Sequence, residues 1–190
     1  MSTWILLRGW TRESAHWGRF PAQLDEALPA ATVVCLDLPG TGSRRHERSP
    51  ACVEALVDTC RAHLVLAGHA PPWHLFGLSL GGMVAAAWAA SHPDELAGCV
   101  LVNTSMRGAP LRRLRPGSWG TLLRIGTAPD ACQAEAGVLH LTSNQPPAQP
   151  LLAEWAAIRR THHRAHRGPT GRPDVVDRGR VGRTGRRRFG

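Results

Sequence analysis

The run Gly77-Leu78-Ser79-Leu80-Gly81-Gly82 sets a serine between two glycines at G-x-S-x-G spacing. A serine so placed can act as a nucleophile. The spacing suits a sharp strand-to-helix turn that lifts the hydroxyl clear of a sheet, with glycine favoured two positions to either side, where side chains would collide. The motif alone is weak and fits an incidental serine in a glycine-rich turn. Its setting strengthens it: an apolar stretch, Trp73 to Leu78, precedes it and a small-residue helical stretch from about Gly81 to Ser91 follows. A helix opening there aims free N–H groups and the positive end of its dipole at the hydroxyl. The N–H of Leu80 is then a candidate donor to a developing oxyanion. A second donor must come from a loop after an earlier strand, and Gly9-Trp10 stands in that place. The N–H of Trp10 is the expected donor, and one such donor contributes about 3–4 kcal/mol in a transition state.

The elements that must position these groups follow from periodicity. Trp4 to Leu7 and Thr32 to Leu36 are short apolar runs that predict strands, as do Trp73 to Leu78 and Cys99 to Val102. Trp17, Phe20, Leu24 and Leu28 recur at helical steps and predict a helix with one buried face, closed by Pro29. Val53, Leu56, Val57, Cys60 and Leu64 predict a second helix, with Ser49 as N-cap and Pro50 opening it. The order β-α-β-α-β-α-β predicts an α/β fold: a mostly parallel sheet with helices on both faces and strands buried on both sides. After Thr104 the pattern turns helical. Ala134, Val138 and Leu141, then Leu151, Leu152, Trp155 and Ile158, suggest short helices covering one end of the sheet, and no strand is expected.

These pieces resemble the α/β-hydrolase superfamily, in the esterase branch that includes pimeloyl-acyl-carrier methyl ester esterases. The resemblance rests on Arg8-Gly9-Trp10, on Asp37-Leu38-Pro39-Gly40-Thr41-Gly42-Ser43 and on Gly77 to Gly82 followed by His92-Pro93. It covers residues 3–105 well and continues more loosely to 163. It implies a partial hydrolase core over 1–105, a helical cap-like segment over 106–163, and hydrolysis of a carboxylic ester or thioester through an acyl-serine. The implied partner is a small-molecule ester or an acyl-carrier substrate, with no cofactor. Arg8 stands where the family usually has His, a position that orders the loop without moving protons.

The mechanism also needs a base and an acid, which in this family follow the serine in the order acid, then His. Neither can be assigned from the sequence. His140, His162, His163 and His166 are the histidines that follow in the second half, and Asp94, Asp130, Glu135 and Glu154 are candidate acids. None follows an apolar strand pattern. His162, His163 and His166 have metal-like spacing but no acidic or cysteine partner in sequence, so no metal is expected.

The chain has 190 residues and a net charge of +9; all 23 basic residues are Arg. Residues 164–190 hold +7 of that charge and read as an Arg/Gly/Pro-rich tail, expected to be disordered. Its composition suggests GC-rich coding DNA read out of frame, hence a hydrolase-like chain that lost its C-terminal third, is inactive and exposes a sheet edge. Nucleic-acid binding through the tail is a further reading, weakened by its single aromatic residue, Phe189. The five cysteines form no C-x-x-C pair and predict buried free thiols in a reducing compartment. With no long apolar run and no leader-like N-terminus, a cytoplasmic protein away from membranes is expected. Arg112, Arg113 and Arg115 suggest a solvated face.

Overall fold

The computed structural model describes residues 2–104, 118–146 and 148–166. Four strands, β1 (Ser2–Leu7), β2 (Ala31–Leu36), β3 (Trp73–Leu78) and β4 (Leu96–Val102), form one sheet in the order β2-β1-β3-β4. Every pairing is parallel. The connections carry α1 (Phe20–Ala27), α2 (Val53–Leu66) and α3 (Leu80–Ser91), as the alternating pattern predicts. The sheet extends the sequence reading slightly, since β4 starts at Leu96 rather than Cys99.

Side chains alternate across each strand, and the two faces pack against different helices. Ile5 and Leu7 of β1 and Trp73 and Leu75 of β3 face α2 and α3, joining Leu56, Val57, Cys60, Leu64, Val84, Ala85 and Trp88 in the core. On the other face Phe76 meets Phe20 of α1 and Trp17, at ring separations of 5.0 and 5.7 Å.

Burial on both sides holds only at the centre. β2 is half-buried along most of its length, and Val100, Leu101 and Val102 of β4 are each more than a third exposed. Both are edge strands, and among the described residues nothing pairs with the outer edge of β4. No residue of α1 is fully buried; Trp17, in a 3-10 turn just before it, is the anchor of that face. Nor does Ser49 cap α2. That helix begins at Val53 with Cys52 at the N-cap and no side-chain cap bond. Ser49 instead packs against Gly40 in the loop after β2. The cysteines are free, but only Cys60 is fully buried; Cys52, Cys99 and Cys132 are exposed because they fall at a helix N-cap, on the edge strand and in a first helical turn.

Arg61 of α2 and Trp88 of α3 both bond Glu95, with Arg61 Nε at 2.8 Å and Trp88 Nε1 at 2.9 Å from the carboxylate. The Arg61 hydrogen bond lowers the Glu95 pKa. A depressed carboxylate contributes stability above its unfolded pKa that is lost as pH falls through the folded one. Arg61→Ala should therefore move the midpoint of acid unfolding to higher pH, measurable by circular dichroism.

After β4 the described residues form helices only: α4 (Ser118–Gly126), α5 (Ala131–Thr142) and α6 (Gln149–His166). The last is 18 residues long rather than short. Asp130 caps α5, accepting from the Gln133 N–H at 2.9 Å. Residues 105–117, with Arg112, Arg113 and Arg115, and most of the Arg-rich tail, 167–190, lie outside the described residues.

Candidate active site

β1 and β3 are neighbours in the register Leu7↔Gly77, so the segments leaving their C-terminal ends emerge side by side. One carries Gly9 and Trp10, the other Ser79 and Leu80. A Cβ placed on Gly9 would lie 3.1 Å from Ser79 Cβ and 3.5 Å from Ser79 Oγ. Glycine there keeps the loop close against Ser79 without crowding its Cβ. Ser79 has φ 56° and ψ −115°, a backbone region that costs a non-glycine residue about 1–3 kcal/mol. The turn is held from both sides: the Ser79 N–H donates to the Val102 carbonyl and the Ser79 carbonyl accepts from the Met83 N–H, both at 3.0 Å.

The glycines around the serine meet steric demands that the sequence motif anticipates. A Cβ on Gly77 would stand 2.6 Å from the Gly81 oxygen and from Gly82 Cα. One on Gly81 would run into the Leu7 carbonyl and lie 2.7 Å from the Arg8 oxygen. Gly82, which closes the motif but was given no role from the sequence, is equally constrained, by the Thr104 hydroxyl.

The Ser79 hydroxyl has no hydrogen-bond partner among the described residues. The backbone N–H groups of Trp10 and Leu80 likewise find no acceptor there. The structure thus brings Ser79, Trp10, Leu80, Gly77 and Gly81 together at the C-terminal edge of the two central strands.

The loop bearing Trp10 is braced by two buried anchors. The first is Asp37, at the end of β2. Its carboxylate accepts from the N–H and hydroxyl of Ser14 at 2.6 and 2.7 Å, and from the N–H and hydroxyl of Ser43 at 2.8 and 2.9 Å. Gly42, at φ 50°, must lack a Cβ because that atom would strike this carboxylate. The spacing from Asp37 to Ser43 therefore encodes a clamp between the loops after β1 and β2. Asp37→Asn keeps the size but turns an acceptor edge into a donor facing other donors. It should cost about 2 kcal/mol in a denaturant melt.

The second anchor was not legible as such. Arg12, two residues past Trp10, is buried and paired to the buried carboxylate of Glu135 in α5 at 2.5 Å; Arg159 of α6 holds the other oxygen at 3.0 Å. The Arg8 guanidinium lies 4.7 Å from the ring centroid of Trp17 and 5.9 Å from that of Trp155. Arg12 also stacks on Trp155, at 4.8 Å. Burial, with a smaller contribution from the Arg12 charge, pushes the Arg8 guanidinium down to about 10. This cluster ties α5 and α6 to the Trp10 loop. The signal in the sequence was Glu135 itself, four residues before Leu139 on the stripe that α5 buries.

The candidate partners of Ser79 are placed elsewhere or engaged otherwise. Glu135 is committed to two arginines and Asp130 to a helix cap. Asp94 is exposed in the 3-10 turn Pro93–Glu95, and Glu154 is exposed on α6. His140 is exposed on α5 and lines, with Arg124 and Gln133, a cavity of about 390 Å³ between α4 and α5 that excludes Ser79. The side chains of His162, His163 and His166 lie outside the described residues. Among the described residues no group of three or more His, Cys, Asp or Glu could hold a metal ion. Nor is any helix there long and apolar enough to cross a membrane.

Comparison with known proteins agrees with the fold. The family model for the alpha/beta hydrolase fold matches residues 5–127. The chain belongs to this family. A curated relative of the α/β-hydrolase chain is the pimeloyl-[acyl-carrier protein] methyl ester esterase of Chromobacterium violaceum, 36% identical over 107 residues, which are 54% of this chain and 37% of that protein. Another is the biotin biosynthesis bifunctional protein BioHC of Teredinibacter turnerae, 31% identical over 105 residues, 55% of this chain and 17% of that one. The chain thus spans little more than a third of the first relative's length and less than a fifth of the second's. Among solved structures, Cfl2 of Burkholderia cenocepacia superposes with a TM-score of 0.61 at 18% identity, covering 86% of this chain and 60% of that one. A carboxylesterase structure from Nitrososphaera gargenis superposes at 0.60 with 15% identity, covering 85% and 63%. At these identities the structural likeness speaks for the fold.

Proposed function

We infer that the chain carries the nucleophile side of a serine hydrolase acting on carboxylic esters or thioesters. The observation that carries this reading is Ser79, held at positive φ with its hydroxyl beside Gly9, near two N–H groups that have no acceptor among the described residues. In the proposed reaction Ser79 Oγ attacks the acyl carbon. The carbonyl oxygen takes the electron pair and is met by the N–H groups of Trp10 and Leu80. The carbonyl re-forms as the bond to the alcohol or thiol breaks, and that group leaves with the serine proton. Water then attacks the acyl-serine, releasing the acid and restoring the hydroxyl. Gly77 and Gly81 keep the turn tight enough for this approach.

No described residue is hydrogen-bonded to Ser79 Oγ as a base. That favours a second reading: the fold and nucleophile persist while turnover is slight. Removing a triad member leaves about 10³–10⁴-fold catalysis over water from the remaining site. A fluorophosphonate serine probe followed by peptide mapping, with Ser79→Ala as control, tests the first reading. The expected result is a single adduct at Ser79, absent from Ser79→Ala; adducts unchanged in that variant would refute the assignment. Turnover of p-nitrophenyl acetate at hydrolase rates would remove the second reading.

A further inference from the structure

Three buried N–H donors have no acceptor among the described residues and belong to one cluster: Arg8 Nε, Arg12 Nη2 and Trp17 Nε1. The Arg8 guanidinium lies 4.7 Å from the Trp17 ring centroid, and Arg8 and Arg12 share Trp155, at 5.9 and 4.8 Å. Arg12 and Trp17 are only 7% and 8% exposed. Arg8 is half-buried, so its side of the cluster reaches solvent. A buried donor without an acceptor forfeits the hydrogen bonds it made in water, and native structures leave few such groups. Charge points the same way. Glu135 gives one oxygen to Arg12 and the other to Arg159, while Arg8 has no ion pair among the described residues. The cluster thus holds three guanidiniums and one carboxylate, a local excess of two positive charges. Glu13, next to Arg12 in the chain, is engaged in a capping box with His16.

We propose that Arg8, Arg12 and Trp17 form a binding site for a small oxyanion, the two-oxygen edge of a carboxylate or a phosphate. An oxyanion brings only acceptors, which suits a cluster whose unmet groups are all donors. A guanidinium is planar and presents parallel N–H groups that match two oxygens at once. The two tryptophan rings fix where that fork stands. A neutral amide or hydroxyl could meet one donor but would leave the excess charge in place. Burial, and then repulsion from Arg12, bring the Arg8 guanidinium down to about 10, and a bound anion would offset both. The site uses no atom of Ser79, so it stands or falls separately from the nucleophile assignment.

The test is a titration of the full ¹⁵N-labelled chain with sodium acetate and, separately, with sodium phosphate, ionic strength being held constant with sodium chloride. The side-chain N–H resonances of Arg8 and Trp17, assigned through their own backbones, are the reporters. Both should shift and saturate together in at least one series, and the tighter series names the ligand as a carboxylate or a phosphate. The Nε–H resonance of Arg48, exposed in the loop before α2, should show no saturation. Arg8→Lys keeps the charge but loses the fork, and should weaken binding at Trp17 about tenfold; Arg48→Lys should leave it unchanged. Shifts that stay linear in both series, or that chloride alone reproduces, overturn the site. So does an Arg8→Lys chain that binds as tightly as the parent. Should Arg8→Lys not fold, the parent decides: saturation at Arg8 and Trp17 but not at Arg48 supports the site, and equal behaviour of all three overturns it.

Discussion

Gly81→Ala should lose about 3 kcal/mol or more of folding stability, and Gly81→Val should not yield folded protein. The added Cβ would meet the Leu7 carbonyl and the Arg8 oxygen, both main chain, where α3 crosses the end of β1. Leu7 is fully buried in the central strand and cannot retreat without breaking its pairing with β2 and β3. The collision also sits two residues from Ser79, so any relaxation would move the hydroxyl. Gly120→Ala is the control. Gly120 lies in α4 with nothing within 4 Å of the added atom, and it should gain up to about 1 kcal/mol from helix propensity. Thermal or denaturant melts of both variants read the contrast. Equal stability of Gly81→Ala and the parent chain would contradict the tight turn.

The second large effect is expected at Glu135. Glu135→Ala removes the carboxylate that bridges Arg12 and Arg159, leaving buried Arg12 without a counter-charge. Breaking one side of a buried pair costs about 3–5 kcal/mol, mostly the penalty of the stranded ion. Because the pair is buried, salt should change the loss little. The damage should be local: limited proteolysis is expected to open α5 and α6 while the sheet stays protected, since the core on β1 and β3 does not use Glu135. Glu135→Gln keeps hydrogen-bonding capacity and should lose less. A Glu135→Ala chain with parent stability and an unchanged digestion pattern would show that the helices hold to the loop by packing alone.

Much of the site was readable because the constraints on it are local. A strand that turns into a helix within one residue forces glycine at fixed offsets, and Gly77 and Gly81 follow from that geometry without knowledge of the rest of the fold. Trp10 was expected as a donor only because Gly9-Trp10 follows an earlier strand; that this strand is the neighbour of the one carrying Ser79 came from the sheet order. The Asp37 loop was visible as a motif, but its purpose was not. Four hydrogen bonds from Ser14 and Ser43 depend on two loops meeting in space. Ser49 shows the converse error. Ser-Pro before an apolar run is a good local cap signal, yet the helix opens at Val53 and the serine is used by the neighbouring loop.

The edges of the sheet mark another limit. An apolar run such as Cys99 to Val102 reads the same in a central strand and at an edge, because periodicity reports side-chain type and not the number of neighbours. Only the strand order β2-β1-β3-β4 reveals that β4 lies at an edge while β1 and β3 are paired on both sides.

By itself, then, the sequence determined the parallel α/β plan and the tight turn at Ser79 with Leu80 after it, because each follows from short-range periodicity or from sterics within a few residues; that Trp10 emerges beside them depends on β1 pairing with β3. Tertiary structure alone decided that Glu135 is an ion-pair bridge rather than a catalytic acid. It alone placed Arg8 between two tryptophans. Those features join residues that lie far apart in the chain, and charge and burial at such meetings are set by which surfaces come together, not by the order of residues along either one.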